Sequence, residues 1–150
     1  MRAIIQRVSR AEVRVEGRSN GSIGTGYVIL LGVAADDTDE DIEYVVKRVV
    51  RLRLFDGPDG RISRDLAEAG GGLLVVSQFT LFASTRKGTK PSWHRAAPPE
   101  VAEGLYDRFT AALGLAAGRP VVEGRFGAAM EIDLCNDGPV TLWLDSRTKE

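Results

Sequence analysis

The chain contains one cysteine and one histidine in 150 residues, and its net charge is −1. A single cysteine excludes an internal disulfide and suits a reducing cytosol, so a cytoplasmic protein is expected. No apolar run approaches the roughly 18 residues of a membrane-spanning helix. Met1-Arg2-Ala3-Ile4-Ile5-Gln6-Arg7 alternates apolar and polar residues instead of forming a secretory h-region. Near-zero net charge means that overall charge advertises no nucleic-acid partner, so any RNA contact has to come from a local patch. The acidic residues Asp36, Asp37, Asp39, Asp41, Asp56 and Asp59 match no calcium loop, and Gly21-x-x-Gly24-x-Gly26 precedes a strand where a phosphate-binding glycine loop precedes a helix. No metal and no cofactor is expected.

What is present fits one domain spanning residues 1–150, with 43% hydrophobic residues to build its core. Ala11, Val13 and Val15 alternate with charged residues as in a half-buried strand. Asn20-Gly21 supplies turn chemistry, and Tyr27 to Ala34 reads as a buried strand. Thr38 is an N-cap candidate followed by acidic residues, with Ile42, Val45, Val46 and Val49 at helical spacing. Leu52 to Phe55 reads as a short strand before the turn Asp56-Gly57-Pro58-Asp59-Gly60, and residues 73–81 as a buried strand. Pro98-Pro99 opens a second helix with Val101, Leu105, Phe109 and Leu113 on its buried face, and residues 114–118 read as a linker of small residues. Residues 129–135 and 140–144 read as the final strands, joined by Asn136-Asp137-Gly138-Pro139. These elements predict an α+β domain with a curled, largely antiparallel, barrel-like sheet and two main helices.

Ser77-Gln78-Phe79-Thr80-Leu81 caps one apolar run and Asn136-Asp137-Gly138-Pro139-Val140-Thr141 caps another. A Gly–Pro pair between strand-like segments marks a turn or an edge, because proline donates no hydrogen bond and glycine lacks Cβ. A local basic stretch also exists. From Ala83 to Pro99 there is no acidic residue, while Arg86, Lys87, Lys90 and Arg95 accompany Trp93 and His94. Basic residues beside an aromatic suit a phosphate backbone with a stackable base, and a solvated surface loop is the plainer reading. Lys47, Arg48, Arg51 and Arg53 form a second basic run, read as a solvated helix face.

The two polar stretches together resemble the signature of the D-aminoacyl-tRNA deacylases. The likeness continues through Gln6-Arg7-Val8, Leu30-Leu31-Gly32-Val33, Thr85-Arg86-Lys87-Gly88, Ala96-Ala97-Pro98-Pro99-Glu100 and Gly124-Arg125-Phe126-Gly127-Ala128-Ala129-Met130, in the family's order. The chain departs from the pattern at Trp93-His94-Arg95 and at Ile62-Ser63. The resemblance implies hydrolysis of the ester between a D-amino acid and the tRNA 3′ end, with glycine also accepted. It implies a homodimer, with tRNA as the other partner and neither membrane nor DNA.

Residues alone offer no triad for such an ester hydrolase. His94 is far in sequence from any nucleophile candidate, Cys135 reads as a small buried hydrophobe, and the hydroxyls of Ser77 and Thr80 have no evident base. A covalent role for Thr80 or Cys135 stays open as the lesser reading. The resemblance implies instead that the neighbouring ribose hydroxyl assists, with Ser77, Gln78, Phe79 and Thr80 as the catalytic stretch and the Phe79 and Thr80 amides as oxyanion donors. It further implies that Gly138 and Pro139, joined by a cis peptide bond, braced by Arg7 and flanked by Met130, read the substrate Cα in the partner subunit's site. If the Gly–Pro bond were trans, a related deacylase of L-alanyl-tRNA is the alternative. A non-catalytic RNA-binding module using residues 83–99 is another.

Overall fold

The computed structural model describes residues 1–149; Glu150, the last residue of the expected domain, lies outside the described residues. The first strand, β1 (Arg2–Val15), is the spine of the sheet. Its alternating apolar residues Ala3, Ile5, Val8, Ala11, Val13 and Val15 are all buried, and Ser9 and Arg10 are exposed where its pairing shifts register. A two-residue turn at Glu16-Gly17, both with positive φ, leads into β2 (Arg18–Ile23). The turn expected at Asn20-Gly21 is therefore displaced: those residues lie within β2, where Gly21 pairs with Val13 beside a bulge. Strand β3 (Gly26–Gly32) returns antiparallel to the first half of β1.

Helix α1 (Asp39–Arg51) begins at the N-cap Thr38, whose amide donates to the Asp41 carboxylate at 2.8 Å. Its stripe Ile42, Val45, Val46 and Val49 is buried, as the spacing predicts. Next come the short strands β4 (Phe55–Asp56) and β5 (Ile62–Arg64), which pair as a small hairpin. Leu52 to Leu54 is not a strand, contrary to expectation. This segment instead supplies carbonyls to side chains, Leu52 to the Tyr27 hydroxyl and Leu54 to Arg7. Strand β6 (Gly72–Ser77) follows, then α2 (Pro99–Ala117), β7 (Val122–Glu123) and β8 (Met130–Asp145). Helix α2 buries Leu105, Phe109 and Leu113, but Val101 is 39% exposed. The expected linker at 114–118 is the last turn of α2, because Leu115, Ala116 and Ala117 are good helix formers and Gly118 closes it at φ +63°.

The sheet is mixed. β1 pairs antiparallel with β2, β3 and β8, whereas β3–β6 and β6–β7 are parallel. The sheet curls until β2 nears β7, where the Asn20 amide donates to the Glu123 carbonyl at 2.7 Å. The barrel-like expectation is met by this near-closure. One core cluster lies between the sheet and both helices, joining Ile5, Tyr27, Ile29 and Val75 to Val45, Val49 and Phe109. A smaller one on the sheet's other face joins Val8, Val13, Val28, Leu74 and Val76. β3 and β6 are thus covered on both faces, which explains their unbroken apolar sequences.

Candidate active site at the end of a buried strand

β6 delivers the first polar stretch. The strand ends at Ser77, and the Gln78 amide still donates to the Leu31 carbonyl of β3 at 2.7 Å. The backbone then leaves the extended region, and Phe79–Phe82 coils into a single 3-10 turn. The expected strand through residue 81 is thus shortened. The turn forms because Phe82 is drawn into the core and because Gly32 stands beneath it. A Cβ on Gly32 would lie 3.0 Å from the Leu81 Cβ and 3.1 Å from the Gln78 carbonyl oxygen.

A helical turn leaves its first amides without internal acceptors. Leu81 donates to Gln78 and Ala83 to Thr80, and no acceptor takes the Phe79 or Thr80 amide among the described residues. The Thr80 hydroxyl is engaged by the Gln78 side-chain amide. The ring nitrogen Nδ1 of His94 lies 3.0 Å from the Ser92 hydroxyl. Cys135, expected to be buried, is exposed on β8, where the alternation turns it outward.

Ser77, Gln78 and Phe79 form one wall of a cavity of about 630 Å³. Tyr106 of α2, Phe126 and Ala128 of the segment before β8, and Met130 are among the other residues that line it. The Tyr106 hydroxyl donates to the Val75 carbonyl at 2.9 Å, tying the cavity's rear wall to β6. Burial pushes this phenol well above its ordinary value, with Glu123 adding to the shift, so it is a neutral donor. At the rim, Phe79 and Trp93 meet edge to face with ring centroids 5.3 Å apart, and both are exposed.

Two strands were expected around the second polar stretch, and one is found. Residues 130–145 are one strand, and Gly138-Pro139 is a kink within it, with a cis peptide bond. Gln6 pairs with Thr141 and Val8 with Asn136, so Arg7 alone stands opposite residues 137–140. The Arg7 side chain is buried there. Its Nε donates to the Asp137 carbonyl at 3.2 Å and its Nη1 to the Leu54 carbonyl at 2.5 Å, while the Asp137 and Asp56 carboxylates lie at 3.3 and 3.4 Å. Gly138 and Pro139 are exposed and do not line the cavity. Beside them, the Oδ1 of Asn136 is buried without a hydrogen-bond partner among the described residues.

The site residues read from sequence thus divide into separate groups. Ser77, Gln78, Phe79 and Met130 share the cavity, with Thr80 just behind its wall. Arg7, Gly138 and Pro139 form a second cluster, where the pairing of β1 and β8 is interrupted. Arg86, Lys87 and Lys90 are exposed on a loop whose base is pinned by paired backbone bonds between Ser84 and Ser92. Arg95 instead folds back to donate to the Ala83 carbonyl at 3.0 Å. The sequence reading missed Tyr106 and Phe126 as cavity residues. Tyr106 adjoins the apolar stripe of α2, and only its hydroxyl, reaching across to β6, signals a further task.

A family model described as D-Tyr-tRNA(Tyr) deacylase matches residues 4–145. The D-aminoacyl-tRNA deacylase of Opitutus terrae is 53% identical over 150 residues, covering 100% of both chains. That of Bacteroides thetaiotaomicron is 47% identical over the same span, again covering 100% of both. Among solved structures, the c-Myc DNA Unwinding Element Binding Protein superposes with a TM-score of 0.90 at 39% identity, covering 97% of this chain and 98% of that one. A probable eukaryotic D-amino acid tRNA deacylase superposes with a TM-score of 0.82 over 95% and 97% of the two chains, and at 21% identity it speaks to the fold alone.

Proposed function

The chain belongs to the D-Tyr-tRNA(Tyr) deacylase family, and from that membership we propose that it hydrolyses the ester of D-aminoacyl-tRNA, releasing free D-amino acid and tRNA. The observation that carries the mechanism is the turn at Phe79–Phe82, which leaves two backbone amides without acceptors beside a cavity. Those amides are suited to the oxyanion that develops when water attacks the ester carbonyl. The 3′ oxygen of the terminal ribose leaves as a hydroxyl, taking up a proton, and the amino acid departs as a carboxylate. The neighbouring 2′ hydroxyl activates or positions the water, which accounts for a site with no base near the Thr80 hydroxyl.

Handedness is read at the substrate Cα, where hydrogen and Cβ exchange places between enantiomers. Gly138 and Pro139 supply main-chain atoms that overlap an L-Cβ, so glycyl-tRNA, which has no Cβ, is also cleaved. They do so in the cavity of a second copy of the chain, making the enzyme a homodimer. One feature supports this: the pair is exposed, while the buried Arg7 holds the adjoining Asp137 carbonyl. Met130 lies along the same cavity. Arg86, Lys87, Lys90 and Arg95 border the phosphate backbone of the acceptor end, and the reaction belongs to the cytoplasm, where aminoacyl-tRNA is made.

The test is a deacylation assay with D-Tyr-tRNA, glycyl-tRNA and L-Ala-tRNA side by side. Cleavage of the first two is expected. Preference for L-Ala-tRNA would assign the chain to the related L-alanyl deacylase, and binding without turnover to a non-catalytic RNA-binding module. Repeating the assay on tRNA ending in 2′-deoxyadenosine should suppress cleavage strongly, and unchanged turnover would refute assistance by the 2′ hydroxyl.

A further inference from the structure

The turn at Phe79–Phe82 is held by few bonds of its own, and Arg2 makes up the difference. The Arg2 side chain is 23% exposed and sits between the turn and the end of β8. Its Nη1 donates to the Leu81 carbonyl at 2.9 Å, and its Nε donates to Asp145 Oδ2 at 2.8 Å. The guanidinium carbon lies 4.5 Å from the centroid of Phe82 and 5.4 Å from that of Trp143. In the β1 ladder Arg2 pairs with Gly32, the residue whose missing side chain lets the turn settle on β3. One residue therefore touches both the 3-10 turn and the strand that carries Gly138-Pro139.

We propose that Arg2 is a positioning residue for the deacylation reaction, clamping the turn so that the Phe79 and Thr80 amides stay aimed at the developing oxyanion. The inference rests on the proposed role of those amides. Arginine suits the task for two reasons. Its planar group can contact aromatic rings while its N–H groups donate within its own plane to separate acceptors. A cation on a terminal carbonyl of a helical turn also complements the partial charge there. Lysine keeps the charge but cannot meet both acceptors and both rings.

The experiment is Arg2→Lys, with Asp145→Asn as a second variant that keeps the carboxylate's shape and removes its charge. For Arg2→Lys, kcat on D-Tyr-tRNA should fall roughly 10- to 100-fold while KM stays within about twofold, as expected for a misplaced catalytic group. Amide hydrogen exchange at residues 79–83 should accelerate by roughly tenfold while exchange in α1 is unchanged. Asp145→Asn should move both readouts in the same direction by less. A kcat within about twofold of the parent, or a loss of kcat without faster exchange in the turn, overturns the proposal. The exchange measurement does not need turnover. If the parent chain cleaves no D-aminoacyl-tRNA yet Arg2→Lys loosens the turn, the clamp stands and the proposed activity fails.

Discussion

Replacing Gly138 with alanine tests the proposed role of the kink in β8. Gly138 has φ +121°, in a region that residues with a side chain rarely occupy. Holding alanine there costs about 1–3 kcal/mol. The added Cβ would lie 2.8 Å from Val140 Cγ2, 3.0 Å from Arg7 Nη2 and 3.1 Å from the Val140 backbone nitrogen. The Val140 nitrogen is backbone and moves only with the strand, and Arg7 is held by the Leu54 and Asp137 carbonyls. Overpacking of this kind adds about 1–3 kcal/mol, less whatever the arginine tip relaxes. A combined loss of about 2–4 kcal/mol lowers Tm by roughly 5–15 °C in a domain of this size. Gly60→Ala is the control. Gly60 also has positive φ, +75°, but nothing lies within 4 Å of its added Cβ, so only the conformational cost applies. The functional assay is the ratio of kcat/KM for D-Tyr-tRNA to that for L-Tyr-tRNA. If main-chain atoms at this kink exclude the L-Cβ, a displaced kink should lower the ratio by roughly tenfold or more, equivalent to about 1.4 kcal/mol. An unchanged ratio together with a Tm no lower than that of Gly60→Ala would refute the close fit at residue 138.

Three further outcomes are expected. Thr80→Ala should keep substantial activity in a kcat measurement, because its hydroxyl is engaged by Gln78; a loss of a thousandfold or more would indicate a covalent threonine. Replacing Arg86, Lys87 and Lys90 together with glutamine should weaken tRNA binding and flatten its dependence on salt by roughly 0.7–0.9 in log–log slope per lost phosphate contact, read by titration at several salt concentrations. Asp41 and Asp145 should make the fold sensitive to acid. Burial raises each carboxyl, but the Ser146 hydroxyl and Thr38 amide outweigh it at Asp41, and the Arg147 amide and Arg2 guanidinium do so at Asp145, leaving both below the ordinary 3.8. The unfolded chain therefore binds more protons in acid, and the stabilisation is present above about pH 4 and lost as pH falls through the lower folded values. Thermal melts of Asp41→Asn plus Asp145→Asn across pH 2–6 should show a flatter acid limb, and an unaltered limb would count against this assignment.

The chain's local order was legible wherever a short-range pattern dictates the conformation. Thr38 with its acidic followers and the stripe from Ile42 to Val49 specify α1, and Pro98-Pro99 with Leu105, Phe109 and Leu113 specify α2. The unbroken apolar sequences in β3 and β6 announce strands covered on both faces. The signature around Ser77 to Thr80 and Asn136 to Thr141 was enough to indicate the family. The elements that were misread are those whose conformation depends on a distant neighbour. Asn20-Gly21 has turn chemistry, yet β1 and β7 hold it in a strand while Glu16-Gly17 makes the turn. Residues 78–81 follow an apolar run and read as its strand's end, but Gly32 from another strand opens the space into which they coil.

The Gly–Pro pair makes the same distinction most sharply. Sequence identified it as a break in pairing, since proline lacks a donor and glycine a Cβ. That break could have ended one strand and begun another. Tertiary structure decided otherwise, because β1 supplies partners on both sides of the break and the buried Arg7 spans the gap between them. The exposure of the kink, and its separation from the cavity, likewise depend on how β8 curls with the sheet. Local chemistry along the chain determined which residues could serve; contacts between positions over a hundred residues apart determined where they stand.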